Sequence, residues 1–282
     1  DIDLSPVRGM FGFGSKLIVT NIFNIINGNI FSVLLGRMYT PREVGNYTQA
    51  SKWNYMGWSL VNNMLGGIAQ PVFAKTEDDR ERQKRIFRKL LRFTAFASFP
   101  AMFGLALVSR EFVVILLTDK WSESARLLQL LCIAGAFMPL SGLFSNLIVS
   151  RGHSNIYMWC TIGLCIAQLL AVCLAAPYGI LRMIEAYVCL TIASLFVWHY
   201  FARREIDLRL RDVLRDMAPY LLLSALFVGI AHVLARSIGS LYVSFAFKVA
   251  FVTACYCLSL WLLRSAIFRE ALNFITKREI KD

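Results

Sequence analysis

Along the chain, long apolar runs alternate with shorter polar and basic connections. Eight runs are candidates to cross a bilayer, at roughly residues 17–36, 53–73, 93–108, 127–149, 157–176, 183–201, 217–235 and 245–263. The third is short and the second unusually polar. None shows the period-two alternation of a barrel strand, and a segment in lipid must satisfy its own backbone hydrogen bonds, so helix is predicted throughout. The expectation is an all-α, polytopic membrane protein with about eight transmembrane helices.

Composition strengthens that picture. Of 282 residues, 57% are hydrophobic and 17% charged, with a mean hydropathy of +0.56, whereas an average soluble domain carries about 25% charge. This excludes an ordinary soluble enzyme and a disordered or collagen-like chain. The formal net charge of +12 matters through its distribution. Twenty-one Lys and Arg lie in the N-terminal segment, residues 74–92, 150–156 and 202–216, and the tail, against eight in the intervening connections, with Lys248 alone inside a run. The positive-inside bias then predicts that both termini are cytoplasmic. Basic flanks of membrane helices account for the charge, so no nucleic acid is expected as a partner. Residues 84–92 and 206–216 interleave apolar side chains with cations, as interfacial helices do, and contact with membrane lipid headgroups is predicted for both. The seven cysteines all fall in apolar runs without paired metal-ligand spacing, and read as small buried hydrophobes; no metal and no cofactor is expected.

Candidate chemistry concentrates in the first run, SKLIVTNIFNIINGNIFSVLLG from Ser15 to Gly36. At about 100° per residue, Lys16, Thr20, Asn21, Asn24 and Asn27 fall within an arc of roughly 140°, with Asn29 opposite. Polar groups at such depth need partners or water. Asn54, Asn62, Asn63 and Gln70 in the second run, Ser141, Ser145 and Asn146 in the fourth and Gln168 in the fifth extend the stripe, and together they predict a wet cavity between helices. Of these, Lys16, Thr20, Asn21, Asn24, Asn27, Asn62, Gln70 and Ser145 are the candidate cavity residues. Gly163, Ala167, Ala171 and Ala175 form a small-residue seam for close helix packing. Pro71, Pro100 and Pro139 lie in or at the ends of runs, where a proline frees a carbonyl toward a cavity.

Glu185 is the one carboxylate within a predicted span. It is a possible coupling group, or an interfacial ion pair with Arg182. No clustered acids or histidines and no nucleophilic triad can be inferred, so the chain is not read as an enzyme. GMFGFGSK at 9–16 lacks the order of a phosphate loop and is set aside.

The stretches FGFGSKLIVTNIFNIINGNIFSVLLGRMYTPREVGNYTQASKW at 11–53, PVFAKTEDDRERQKRIFRKLLRFTAFASFPAMFGLALVSREFVVILLTDKW at 71–121 and LLQLLCIAGAFMPLSGLFSNLIVSRGHSN at 127–155 resemble, in order, the second half of bacterial polysaccharide and lipopolysaccharide flippases. These belong to a superfamily that also holds the multidrug and toxin extruders. The resemblance implies a transporter of two six-helix lobes that moves undecaprenyl-diphosphate-linked oligosaccharide across the bacterial inner membrane by alternating access. Residues 1–201 would be its second lobe, and 202–282 a basic linker with two extra helices and a cytoplasmic tail. The chain starts at Asp1 rather than Met, and the expectation is that an N-terminal lobe or a second copy completes it. Lys16 and the amides would meet the diphosphate and sugars, with Arg37, Lys52 and Arg110 as headgroup or diphosphate candidates at the outer mouth. The competing readings are the half of a multidrug or ion antiporter, which would call for cavity acids, and a membrane glycosyl- or acyltransferase, which would call for catalytic His or acid clusters.

Overall fold

The computed structural model describes residues 5–263, 265 and 267–270, with side chains from Gly14 onward except at 26, 27 and 29–32. Asn27, Asn29 and the basic tail beyond 270 therefore lie outside the described side chains. Eight long α-helices follow one another among the described residues: α1 Ser5–Met38, α2 Pro41–Ala74, α3 Arg80–Leu117, α4 Ser122–Ser150, α5 Ser154–Ala175, α6 Ile180–Ile206, α7 Leu210–Leu234 and α8 Leu241–Leu262. Six of them, α3 to α8, are long and apolar enough to cross a membrane. The helices α1 and α2, at 34 residues each, also have the length to cross.

Helix ends are set by caps rather than by hydropathy. Thr40 and Glu43 form a capping box at the start of α2: the Thr40 amide donates to the Glu43 carboxylate at 2.9 Å, while the Thr40 hydroxyl accepts from the Glu43 amide at 3.4 Å. Asp79 caps α3 by accepting from the Arg82 amide at 2.9 Å. The third run is thus part of a 38-residue helix rather than a short span. The basic stretch 84–92 is its first turns, and α3 continues through Glu111 before ending at Leu117. Gly152 and Gly179, with φ of +77° and +99°, turn the chain between α4 and α5 and between α5 and α6.

The helix α4 is the core. Of its apolar window 61% is buried inside the protein, against 17% for that of α5; the large exposed side chains of α5, such as Trp159 and Leu174, are therefore suited to lipid. α4 packs against α2, α3, α5 and α6. Its approach to α2 is close because it presents glycines there. A Cβ on Gly142 would sit 2.5 Å from the Asn62 amide oxygen, and one on Gly135 would collide with Asn54 and Met102. The seam of α5 behaves otherwise: Gly163 is exposed with open space where a Cβ would be, and α5 buries Thr161, Cys165 and Val172 instead. Small residues permit close approach but do not choose the face, which follows the larger buried groups. Cys132 and Cys165 are buried as expected, whereas Cys173 and Cys189 face outward.

Charges join helix ends. At the basic end, Arg151 bonds to Glu205 at 3.1 Å, to the Glu77 carbonyl at 2.6 Å and to Gln83 at 3.3 Å, tying the α2–α3 and α4–α5 turns to α6. Arg88 on α3 holds Asp216 on α7 through two hydrogen bonds, at 2.7 and 3.1 Å. The two stretches expected to rest on lipid headgroups therefore face one another in part, because Asp216 is buried and needs the cation. At the opposite end Arg42 pairs with Glu123 at 3.0 Å, and Asn46 donates to the same carboxylate at 2.7 Å.

The last two helices are fastened to α3 at two further heights. Pro100 cannot donate to the Phe96 carbonyl one turn earlier. The Tyr256 hydroxyl of α8 donates to that carbonyl instead, at 3.1 Å, so the freed carbonyl serves helix docking rather than a cavity. Nearer the opposite end, Lys248 of α8 donates to Glu111 and to the Leu107 carbonyl, the latter at 3.4 Å, and Ser244 donates to Glu111 at 2.9 Å. Glu185 is thus not the sole carboxylate on a spanning helix. Glu111 lies just past the third predicted span, in a polar break at 109–111 that is followed by the apolar residues 112–117 completing α3.

Candidate functional site

Two adjoining cavities open between α1, α2, α4, α5 and α6. The inner one, about 370 Å³, is lined from α1 by Asn24, from α2 by Trp58 and Asn62, and from α4 by Ser141, Gly142, Ser145 and Asn146. Its far wall is Tyr157, Thr161 and Gln168 of α5 and Tyr187, Thr191, Ser194 and Trp198 of α6. The second, about 620 Å³, continues toward the basic end past Asn21, Gln70, Pro71, Ser145, Asn146 and Tyr157. Ser145, Asn146 and Tyr157 border both, so the two form one polar cleft.

Its walls are cross-linked by side-chain hydrogen bonds. Gln70 donates to Asn146 at 3.0 Å, joining α2 to α4, and Gln168 donates to Thr191 at 3.4 Å, joining α5 to α6. Tyr157 shares a hydrogen bond with Asn24 across to α1. Ser145 and Ser194 turn their hydroxyls back onto helix carbonyls, at 2.9 and 2.7 Å. The Ser141 hydroxyl is buried with no partner. A buried hydroxyl without a partner costs about 1–3 kcal/mol, which a ligand or water filling the cavity would relieve.

Of the candidate cavity residues, Asn21, Asn24, Asn62, Gln70 and Ser145 line the cleft. Thr20 is fully buried and donates to the Lys16 carbonyl at 2.7 Å, so its hydroxyl is used within α1. Lys16 is half-buried and sits next to Leu17, which borders the outer part of the cleft. Asn54 is buried against Gly135, and Asn63 is exposed. Arg37, Lys52 and Arg110 are exposed and away from both cavities. Glu185 pairs with Arg182 at 2.7 Å, on the exposed end of α6. Sequence reasoning missed the α6 wall. Its signal was present in spacing: Tyr187, Thr191, Ser194 and Trp198 recur every three to four residues and so share one helical face.

Among the described residues, no group of three or more His, Cys, Asp or Glu could hold a metal ion. The cleft offers amides, hydroxyls and aromatic rings: hydrogen-bond recognition in a half-wet, low-dielectric setting.

Residues 1–126 match the family described as polysaccharide biosynthesis protein. The lipopolysaccharide biosynthesis protein WzxC of Escherichia coli K12 is 29% identical over 153 residues, which is 54% of this chain and 31% of WzxC. The teichuronic acid biosynthesis protein TuaB of Bacillus subtilis 168 is 22% identical over 226 residues, or 79% of this chain and 47% of TuaB. The chain thus spans between about a third and a half of the length of these relatives. In structure it resembles the lipid II flippase MurJ in an inward closed conformation, with a TM-score of 0.71 at 15% identity, over 95% of this chain and 56% of MurJ. The chain is a multi-pass membrane protein that is similar to the polysaccharide biosynthesis proteins over residues 1–126 and has a MurJ-like fold.

Proposed function

We propose that this chain is one lobe of a transporter that flips undecaprenyl-diphosphate-linked oligosaccharide across the bacterial inner membrane for lipopolysaccharide or exopolysaccharide biosynthesis. The observation that carries the reading is the polar cleft between α1, α2, α4, α5 and α6 in a chain with a flippase-like fold. A sugar headgroup needs amides and hydroxyls, the diphosphate needs cations, and the polyprenyl tail can stay in lipid. Lys16 at the basic-end mouth of the cleft meets the diphosphate, and Arg37, Lys52 and Arg110 attract it or the sugars at the other surface. Residues 1–201 form the lobe and 202–282 an accessory pair of helices, all eight helices crossing the membrane with both termini in the cytoplasm. Alternating access needs two bodies rocking about a site between them, so an N-terminal lobe or a second copy faces α1 and α2. The role is transport, not catalysis, and Glu185 is the acid on the lobe's surface that a coupling ion would meet.

The test is surface polysaccharide in cells whose flippase carries both lobes. Lys16→Ala and Asn24→Leu each lower export per molecule about tenfold, the equivalent of one strong hydrogen bond, with membrane abundance unchanged. Asn63→Leu, outside the cleft, leaves export unchanged. Equal loss of protein in all three, with export per molecule intact, overturns the assignment.

A further inference from the structure

We infer that the inner cavity is a subsite for a single uncharged sugar unit, which it distinguishes from an acidic sugar and from the diphosphate. This deepens the proposed function and rests on it.

None of the described residues lining the inner cavity is charged. An anion entering it would leave water without meeting a cation. In a low-dielectric interior that is strongly unfavourable, because neither amides nor hydroxyls repay the lost hydration of a full charge. A neutral sugar faces no such penalty. Its hydroxyls both donate and accept, and the wall supplies groups of both kinds: the amides of Asn62, Asn146 and Gln168 and the hydroxyl of Ser141. Ser141 is informative, since its buried hydroxyl has no partner within the protein and borders the space a ligand would fill.

The aromatic lining argues for a sugar ring rather than a linear polar ligand. A pyranose has apolar C–H faces and a polar rim, and Trp and Tyr offer the matching combination of flat apolar body and polar edge. Trp58 stands on the α2 side and Trp198 on the α6 side, the latter buried and 5.9 Å from the Tyr157 ring, centroid to centroid. The cavity volume of about 370 Å³ lies at the small end of ligand pockets and suits a sugar ring with its bound waters, not a whole repeat unit. The rest of the oligosaccharide and the diphosphate then occupy the wider part of the cleft toward Asn21, Gln70 and Lys16.

The experiment uses the full chain in phosphatidylcholine nanodiscs, since glycoside detergents would compete. Tryptophan fluorescence is followed on titration with methyl glucoside, N-acetylglucosamine and glucuronate at pH 7. The two neutral sugars give a saturable change, and glucuronate binds at least about tenfold more weakly. Trp198→Phe removes most of the signal, and Gln168→Leu weakens binding of the neutral sugars about tenfold. Ser141→Ala, a change small enough to leave the fold intact, weakens it severalfold, while Asn63→Leu, exposed and outside the cleft, does not alter it. Glucuronate binding as tightly as the neutral sugars, no response to any neutral sugar, or a response unchanged in Gln168→Leu and Ser141→Ala each overturns the subsite. The parent reading fails separately: if the two-lobe protein does not transfer lipid-linked oligosaccharide while the cavity still binds neutral sugar, the function falls and the subsite stands.

Discussion

Replacing Lys248 with methionine probes the most demanding electrostatic contact in the molecule. Lys248 and Glu111 are only 9% and 6% exposed, and among the described residues the lysine alone supplies a cation to the Glu111 carboxylate, alongside the Ser244 hydroxyl. The second carboxylate oxygen of Glu111 is buried without a partner. Removing Lys248 therefore strands a carboxylate between α3 and α8 with one neutral donor. Breaking a buried pair costs about 3–5 kcal/mol, and a charge at membrane depth about 2.5–3.5 kcal/mol, so a loss of about 3 kcal/mol is expected. Glu111→Gln strands the lysine on the Leu107 carbonyl and costs a similar amount. The double variant removes both charges and returns to within about 1 kcal/mol of the parent, because a buried pair contributes little beyond its own desolvation. Unfolding in mixed micelles of rising sodium dodecyl sulfate, followed by circular dichroism, measures all three and completes a double-mutant cycle. If both single variants match the parent, or the double variant is as unstable as the worse single, the two charges are not coupled as described.

Two further outcomes follow from packing and exposure. Gly135→Ala drives a methyl into Asn54 and Met102 and lowers stability by about 1–3 kcal/mol, whereas Gly163→Ala enters open space and is neutral or stabilising by about 0.5–1 kcal/mol, both read from the same unfolding titration. In a cysteine-free background, single cysteines at the exposed positions Ser122 and Tyr178 react with an impermeant thiol reagent added outside intact cells, and those at Lys75 and Asp78 do not; the reverse pattern inverts the topology.

The helices are legible in the sequence because the apolar runs, all but the third long, are separated by charged connections. Their ends were not, because capping groups such as Asp79 and the Thr40–Glu43 pair decide where a helix starts, and hydropathy does not register them. α3 thus starts earlier than its predicted span, and it also runs on through the polar break at 109–111, which carries Glu111 into the helix. In the cleft, the amides of Asn21, Asn24, Asn62 and Gln70 were readable as polar breaks in apolar runs. The opposite wall was not, since Tyr187, Thr191 and Trp198 scarcely perturb a hydropathy average. Thr20 marks another limit: an angle on a helical wheel cannot say whether a hydroxyl is already spent on its own backbone. The regular seam of α5 predicts close packing there, whereas the tight approach occurs at Gly135 and Gly142 of α4, where the deciding factor is the bulk of the facing asparagines.

The three attachments of the last helix pair to α3 have a mechanical consequence. Arg88, Phe96 and Glu111 lie along one helix, and the 23 residues from first to last correspond to about 34 Å at 1.5 Å per residue. That matches the thickness of a bilayer's hydrocarbon core, about 30 Å. A strut held at one height can pivot about it; one held near both faces and in between cannot tilt against its mast. α3 also carries α2 and α4 on its other flank. A rotation of α3 with α2 and α4 would therefore carry α7 and α8 along, sweeping their exposed side chains, Leu222 and Leu262 among them, through the surrounding acyl chains. The viscous drag and local bilayer deformation of such a swing would make membrane thickness and fluidity part of its energetics.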